Sequence, residues 1–391
     1  MNVEKLARLD DLLGEWLCLA AWRLGTPGPR PARGGKPKVL VAKLRSIGDV
    51  VLALPMLQAL RAQGAEVTFL SGTVNRQWLA LQPHLDRVIP VDLDTIWKSP
   101  RLLRLLRAIR RERFDAFIDL SQSSHFAALI CLFSGAPMRI GFRTPNPKKR
   151  GKNRMYTHLI QFNHRQHIMR NYFALLSPLG VSVPPAISML PLRYDDADED
   201  LVDGFMAAAN PDQRELVGVH LWGMIPAKRW PIGRWTETIA GLLASERRVL
   251  AVGSLNEWPA IEQVRAKLGS QAAAMVNCAG RFSLPQLFAL MTRFRLFLAN
   301  DGGPMHVAAA MGVPTLGLFG PETPVRYAPC NPLSLALYKG DGMECSPCSR
   351  PYDGSWPTCL HPACLERIES AEVLRVARGM LARAEAALPR A

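Results

Sequence analysis

Along this chain of 391 residues, short apolar runs alternate with amphipathic stretches in two successive rounds, and that rhythm constrains the fold most. In the first round Val39–Ala42, Glu66–Leu70, Val88–Val91, Ala116–Leu120 and Met138–Gly141 read as strands. Asp49–Gln63, Pro100–Arg113, Ser124–Phe133 and Gln166–Leu179 read as the helices between them. The second round runs from a strand at Leu216–Leu221 to one at Pro314–Phe319, again with helical patterns interposed. Strands joined through helices lie parallel, because a helical crossover returns the chain to the same end of the sheet. The expectation is an α/β protein of two Rossmann-like doubly wound domains facing across a cleft, with ligands at the carboxyl ends of the strands.

The expected limits are an amphipathic helix at 1–24 and a Gly/Pro/Arg-rich linker at 25–37. A first domain at 38–194 and a second at 204–364 follow, and a final helix at 365–391 packs back. Leu6, Leu9, Leu13, Trp16, Leu17 and Ala20 fall near helical spacing in the first segment. That helix either packs on protein or lies in a membrane interface, where Trp16 and Trp22 would suit it and its four acids would not. No run of about 18 apolar residues exists, which excludes a transmembrane helix. Glu4, Asp10, Asp11 and Glu15 interrupt any signal-peptide core, so a cytoplasmic protein is expected.

The net charge is +15, and its distribution says more than its size. Residues 1–194 hold 29 basic and 12 acidic side chains, whereas residues 195–391 hold 19 and 21. The first half is therefore the one expected to meet something anionic. Arg101, Arg104, Arg107, Arg110, Arg111 and Arg113 share a helix, and Arg143, Lys148, Lys149, Arg150, Lys152 and Arg154 form a run without an acid. A solvated face accounts for such charge, and so does attachment to an acidic membrane surface or a phosphate-bearing glycolipid. Nucleic acid is not expected, since no recognisable RNA-binding sequence accompanies the arginines.

Three segments carry candidate chemistry. The first strand ends in Lys43-Leu-Arg-Ser46-Ile-Gly48-Asp49, where Asp49 caps the following helix or serves as a general base. Asn300-Asp301-Gly302-Gly303-Pro304-Met305-His306 turns from a strand into an Ala-rich helix, whose first backbone N–H groups suit a pyrophosphate. Lys228, in Lys-Arg-Trp-Pro231, is either a point charge for a phosphate or one of a solvated pair. Cys345, Cys348, Cys359 and Cys364 form a fourth cluster, either a structural zinc or iron site or a set of thiols.

In this order the segments resemble the glycosyltransferase family 9 heptosyltransferases of lipopolysaccharide core synthesis. The similarity is carried by Lys43–Asp49 with Leu-Ala-Leu-Pro55, His220, Lys228–Pro231, Gly253 with Glu257, and Asn300–Ala310 with Phe319-Gly-Pro321. The resemblance implies a GT-B architecture, acceptor on the first domain and nucleotide-sugar on the second, with inversion and no metal or other cofactor for catalysis. It implies Asp49 as general base and Lys228 as the cation on the donor phosphates. Ser46, Gly48, His220, Gly253, Glu257, Asp301, Gly302, Gly303, Met305 and His306 then become donor-binding. The implied donor is ADP-heptose. Arg143, Lys148, Lys149, Arg150 and Arg154 are expected to bind an anionic glycolipid acceptor at the membrane's inner face. The chain departs from the family at Gly302, where Ser or Thr is usual, and at Leu221-Trp222, where His-Pro-Gly is usual, so a different donor stays open.

Overall fold

The computed structural model describes residues 3–23, 35–96, 100–146, 150–223, 225–350, 357 and 359–386. Its contacts divide the chain into two units, the first running Met1–Ile187 and the second beginning at Ser188.

The first unit is built on β1 (Lys38–Lys43), β2 (Glu66–Gly72), β3 (Arg87–Val91), β4 (Ala116–Asp119), β5 (Met138–Arg143) and β6 (His158–Gln161). The second is built on β7 (Leu216–His220), β8 (Arg248–Ala251), β9 (Met275–Asn277), β10 (Leu296–Asn300), β11 (Thr315–Phe319) and β12 (Leu335–Tyr338). All neighbouring strands pair in parallel. The orders are β3-β2-β1-β4-β5-β6 and β12-β11-β10-β7-β8-β9, so each sheet counted from its own first strand runs 3-2-1-4-5-6. That is the doubly wound order expected from the sequence. Its direction reverses between β1 and β4 and between β7 and β10, which opens a crevice at those carboxyl ends.

Helices cover both faces, so the central strands are buried on both sides and read as unbroken apolar runs. Leu40, Val41 and Ala42 in β1 and Leu296 to Ala299 in β10 are fully buried, as are Phe117 and Ile118 in β4. The edge strands β6 and β12 are only four residues long and half-buried, and β6 is bounded by polar His158 and Gln161. The helix expected at 166–179 is shorter, Ile168–Ala174 followed by a 3-10 turn. The stretch 195–203, left outside both expected domains, opens the helix Asp196–Ala209, where Asp195 and Asp198 form a reciprocal capping box. The expected last helix is two, Ala363–Glu366 and Ser370–Ala386.

The N-terminal helix Val3–Arg23 packs on its own unit through its acids. Asp10 accepts from the backbone N–H of His125 at 3.0 Å and of Phe126 at 2.8 Å, at the start of the helix His125–Ser134. Glu15 accepts from Gly151 N–H at 2.7 Å and lies 3.3 Å from His125 Nε2. Two of the four acids that counted against a membrane helix are thus attachment points to protein. Close approach requires Gly14, since a Cβ there would come within 2.5 Å of His125 Cβ. Cys18 completes the inner face among Ile109, Ala127 and Cys131.

Candidate active site

In the first unit the site grows from the turn between β1 and the helix Ile47–Ala62. Ser46, at φ +73°, ends the strand and its hydroxyl accepts from Asp49 N–H at 3.4 Å. Asp49 is therefore in the first turn of the helix and Ser46 is the cap. Ser46 and Asp49 thus share one turn at the carboxyl end of β1. The Asp49 carboxylate receives two further groups: Lys43 Nζ at 3.0 Å on Oδ2, and the Tyr172 hydroxyl, which donates to Oδ1 at 3.1 Å. Burial alone would raise this carboxyl, but the charge and hydrogen bond of Lys43, with Ser46 and Tyr172, hold it below the ordinary aspartate value. The result is an ionised carboxylate whose side chain keeps 15% of its exposure, enough to meet a hydroxyl.

A second buried group lies where the sheet changes direction. Asp119, at the end of β4, accepts from the Tyr156 hydroxyl at 2.6 Å and from Ser121 N–H at 2.7 Å. Burial pushes its carboxyl up despite the nearby Lys152 ammonium. Lys152, counted in the basic run, is fully buried and donates to the carbonyls of Ser121 at 2.7 Å and Gln122 at 3.1 Å. It is thus a structural cation and no part of a solvated surface. Arg143, Arg150 and Arg154 are exposed, and the Arg154 guanidinium stacks over the Trp22 ring at 4.3 Å. Lys148 and Lys149 lie outside the described residues.

In the second unit the site forms at the ends of β7, β8 and β10. Lys228 Nζ donates to Asp301 Oδ2 at 2.5 Å. Asp301 immediately precedes Gly302, the cap of the helix Gly303–Ala310, so this pair holds an ammonium at the helix start. The Asp301 carboxylate is buried and holds Lys228 in place beside that helix start. Met305 is buried in the same turn. Its side chain is wholly buried against Gly317, where a Cβ would come within 2.5 Å of the sulfur, leaving only its backbone for a ligand. The His306 ring is likewise buried, 6.3 Å from the Tyr327 ring. Gly302 has extended backbone, and a Cβ there would meet nothing closer than 3.8 Å, so serine would fit.

His220 ends β7 and Glu257 follows β8. His220 Nε2 lies 3.2 Å from Glu257 Oε2, yet neither this oxygen nor His220 Nδ1 has a hydrogen-bond partner among the described residues. Two buried polar groups left this way invite polar atoms of a ligand. The Glu257 carboxylate also roofs Gly253 so closely that any Cβ there would strike it. Asn300 ties the site together, donating to Leu221 C=O at 3.1 Å and accepting from Trp230 N–H at 3.3 Å. Arg229 donates to Gly223 C=O at 2.7 Å and stacks over Trp222 at 4.2 Å. Lys43, Tyr172, Asn300 and Arg229 are the members that the sequence reading missed as site residues. Lys43 and Arg229 sat inside quoted motifs, whereas Tyr172 lies 123 residues from Asp49 and left no local signal.

Among the described residues no three His, Cys, Asp or Glu side chains are placed to hold an ion. Cys345 and Cys359 are exposed and Cys348 is half-buried. Burial, with Cys348 and Cys359 nearby, pushes the Cys364 thiol up to about 11.

Two doubly wound units, each a six-stranded parallel sheet, form the two-domain α/β architecture expected of a GT-B glycosyltransferase. A model of glycosyltransferase family 9 (heptosyltransferase) matches residues 102–353, and the chain belongs to that family and is a glycosyltransferase. Among curated proteins it is similar to the lipopolysaccharide core heptosyltransferase OpsX of Haemophilus influenzae. Those two are 26% identical over 315 residues, 79% of this chain and 87% of OpsX. Among solved structures it resembles the family 9 glycosyl transferase of Veillonella parvula, with TM-score 0.76 and 22% identity over 90% of this chain and 100% of that one. It also resembles the ADP-heptose lps heptosyltransferase II of E. coli, with TM-score 0.71 and 22% identity over 89% and 99%.

Proposed function

We propose that the enzyme moves a heptose from ADP-heptose to a hydroxyl of a lipopolysaccharide-core-type acceptor, with inversion at the anomeric carbon. The observation that carries this reading is the ionised Asp49 held between Lys43 and Tyr172 at the β1 switch point. The acceptor oxygen attacks the anomeric carbon while its proton passes to Asp49. The bond from that carbon to the diphosphate oxygen breaks, and ADP leaves with the electron pair. Its growing charge meets Lys228 and the backbone N–H groups that open the helix Gly303–Ala310. Glu257 stands after the second strand of its sheet, where an acid in such folds accepts from ribose hydroxyls, and its unpartnered Oε2 suits that role. With this positive charge supplied by the protein, the transfer needs no metal. Addition of EDTA is expected to leave kcat unchanged.

The exposed Arg143, Arg150 and Arg154 are placed to meet an anionic glycolipid by bidentate contacts. The enzyme then works in the cytoplasm at the inner face of the membrane. No helix among the described residues is long and apolar enough to cross a membrane, so contact there would be peripheral.

A thermal-shift panel of ADP, ADP-heptose, UDP-sugars and GDP-sugars tests the donor. Stabilisation by ADP and ADP-heptose is expected. Stabilisation by UDP-sugars alone would sink the donor assignment and leave the fold and reaction type standing, a reading that Trp222 stacked against Arg229 also favours.

A further inference from the structure

From Leu13 onward, the described side chains of the N-terminal helix divide into a docked face, with Gly14 and Cys18 buried, and an exposed one. Leu13, Trp16, Leu17 and Ala20 recur at helical spacing on the opposite face and are exposed, Leu13 by 54%, Trp16 by 74% and Leu17 by 50%. The helix His125–Ser134, on which this one packs, also packs against the helix Arg101–Glu112, and all three feed one hydrophobic cluster. Leu103 and Phe133 are exposed on those neighbours. The helix Arg101–Glu112 also carries arginines, one of which, Arg110, reaches the Phe133 carbonyl at 3.5 Å. Arg104, Arg107 and Arg111 are exposed and have no carboxylate partner among the described residues. An open hollow of about 300 Å³ is lined by Arg107, Arg110, Arg111 and Arg113.

We propose that this face of the first unit docks on a lipid surface bearing anionic headgroups. Leu13, Trp16 and Leu17 enter the boundary between headgroups and acyl chains, and the arginines of 101–113 hold lipid phosphates. Exposed tryptophan and leucine beside unpaired arginine is the combination such an interface rewards, because each group is met by the layer it prefers. A second copy of the chain fits this face less well: a two-fold contact would set the same arginines against one another. The purpose of the docking rests on the reading of the acceptor as a membrane glycolipid, while its geometry does not.

Sedimentation of the full chain with vesicles of phosphatidylcholine, with or without about 30% phosphatidylglycerol, tests it. Binding is expected only to the anionic vesicles and should weaken as salt rises. Trp16→Ser with Leu17→Ser should weaken it roughly tenfold or more, and so should Arg104→Gln with Arg107→Gln and Arg111→Gln. Both variants change exposed side chains and should keep wild-type kcat/KM on a water-soluble, lipid-free acceptor fragment. Equal sedimentation of wild type and both variants overturns the docking, as does a dimer that Trp16→Ser abolishes. A wild type that binds anionic vesicles but transfers no sugar to any acceptor would overturn the catalytic reading and support the docking.

Discussion

At the scale of single residues, Asp49 shows how one neighbour sets both the presence and the strength of a base. Lys43 keeps the carboxylate ionised at 3.0 Å and by the same charge makes it a weaker proton acceptor. Asp49→Asn keeps the shape and removes the base, so turnover should fall roughly 10²–10⁴-fold while ADP binding, measured by calorimetry, stays at the wild-type level. Lys43→Ala leaves burial unopposed by its largest counterweight, so the Asp49 carboxyl rises. The acid limb of the kcat/KM profile should then move to higher pH. The sign follows for stability too. A carboxyl held low in the folded state contributes stability above its unfolded value of about 3.9 and loses it as pH falls through the folded one. An unmoved limb in Lys43→Ala would show that another group titrates there.

Among the elements, the N-terminal helix depends on two acids and one glycine. Gly14→Ala drives a Cβ into His125 and should lower stability by about 1–3 kcal/mol. Asp10→Ala removes the acceptor for His125 and Phe126 N–H and should cost about 1 kcal/mol. Thermal melts of the two variants check both, and unchanged midpoints would mean the helix does not dock as described. The same helix shows what a sequence reveals. Its amphipathic spacing was legible, as were the central strands, because burial on both faces leaves continuous apolar runs. The half-buried edge strands β6 and β12 are only four residues long, too short to stand out, and the acids of 195–203 fell between the expected domains because a capping box and a solvated linker use the same residues. In the site, local motifs exposed Asp49, Lys228 and the 302–306 turn. Tyr172 and the Asp301 clasp on Lys228 depend on contacts across 123 and 73 residues, which no local pattern encodes.

For the whole molecule, the uneven charge becomes a statement about surfaces. Lys152 is buried, whereas Arg143, Arg150 and Arg154 reach solvent. Replacing those three by glutamine should raise KM for the acceptor about tenfold or more, at about 1.4 kcal/mol per tenfold, and leave the affinity for ADP unchanged. Equal loss of both would contradict the assignment of acceptor and donor to different units. The docking of the first helix carries a consequence for how the chain is made. Asp10 and Glu15 leave the ribosome first, yet their partners follow 115 and 136 residues later. During that interval the inner face of the helix has nothing to cover it. Closing such distant contacts is slow, so the helix should be the last piece of its unit to lock in place. Removing residues 1–23 should therefore quicken refolding of the first unit even as it lowers the melting point.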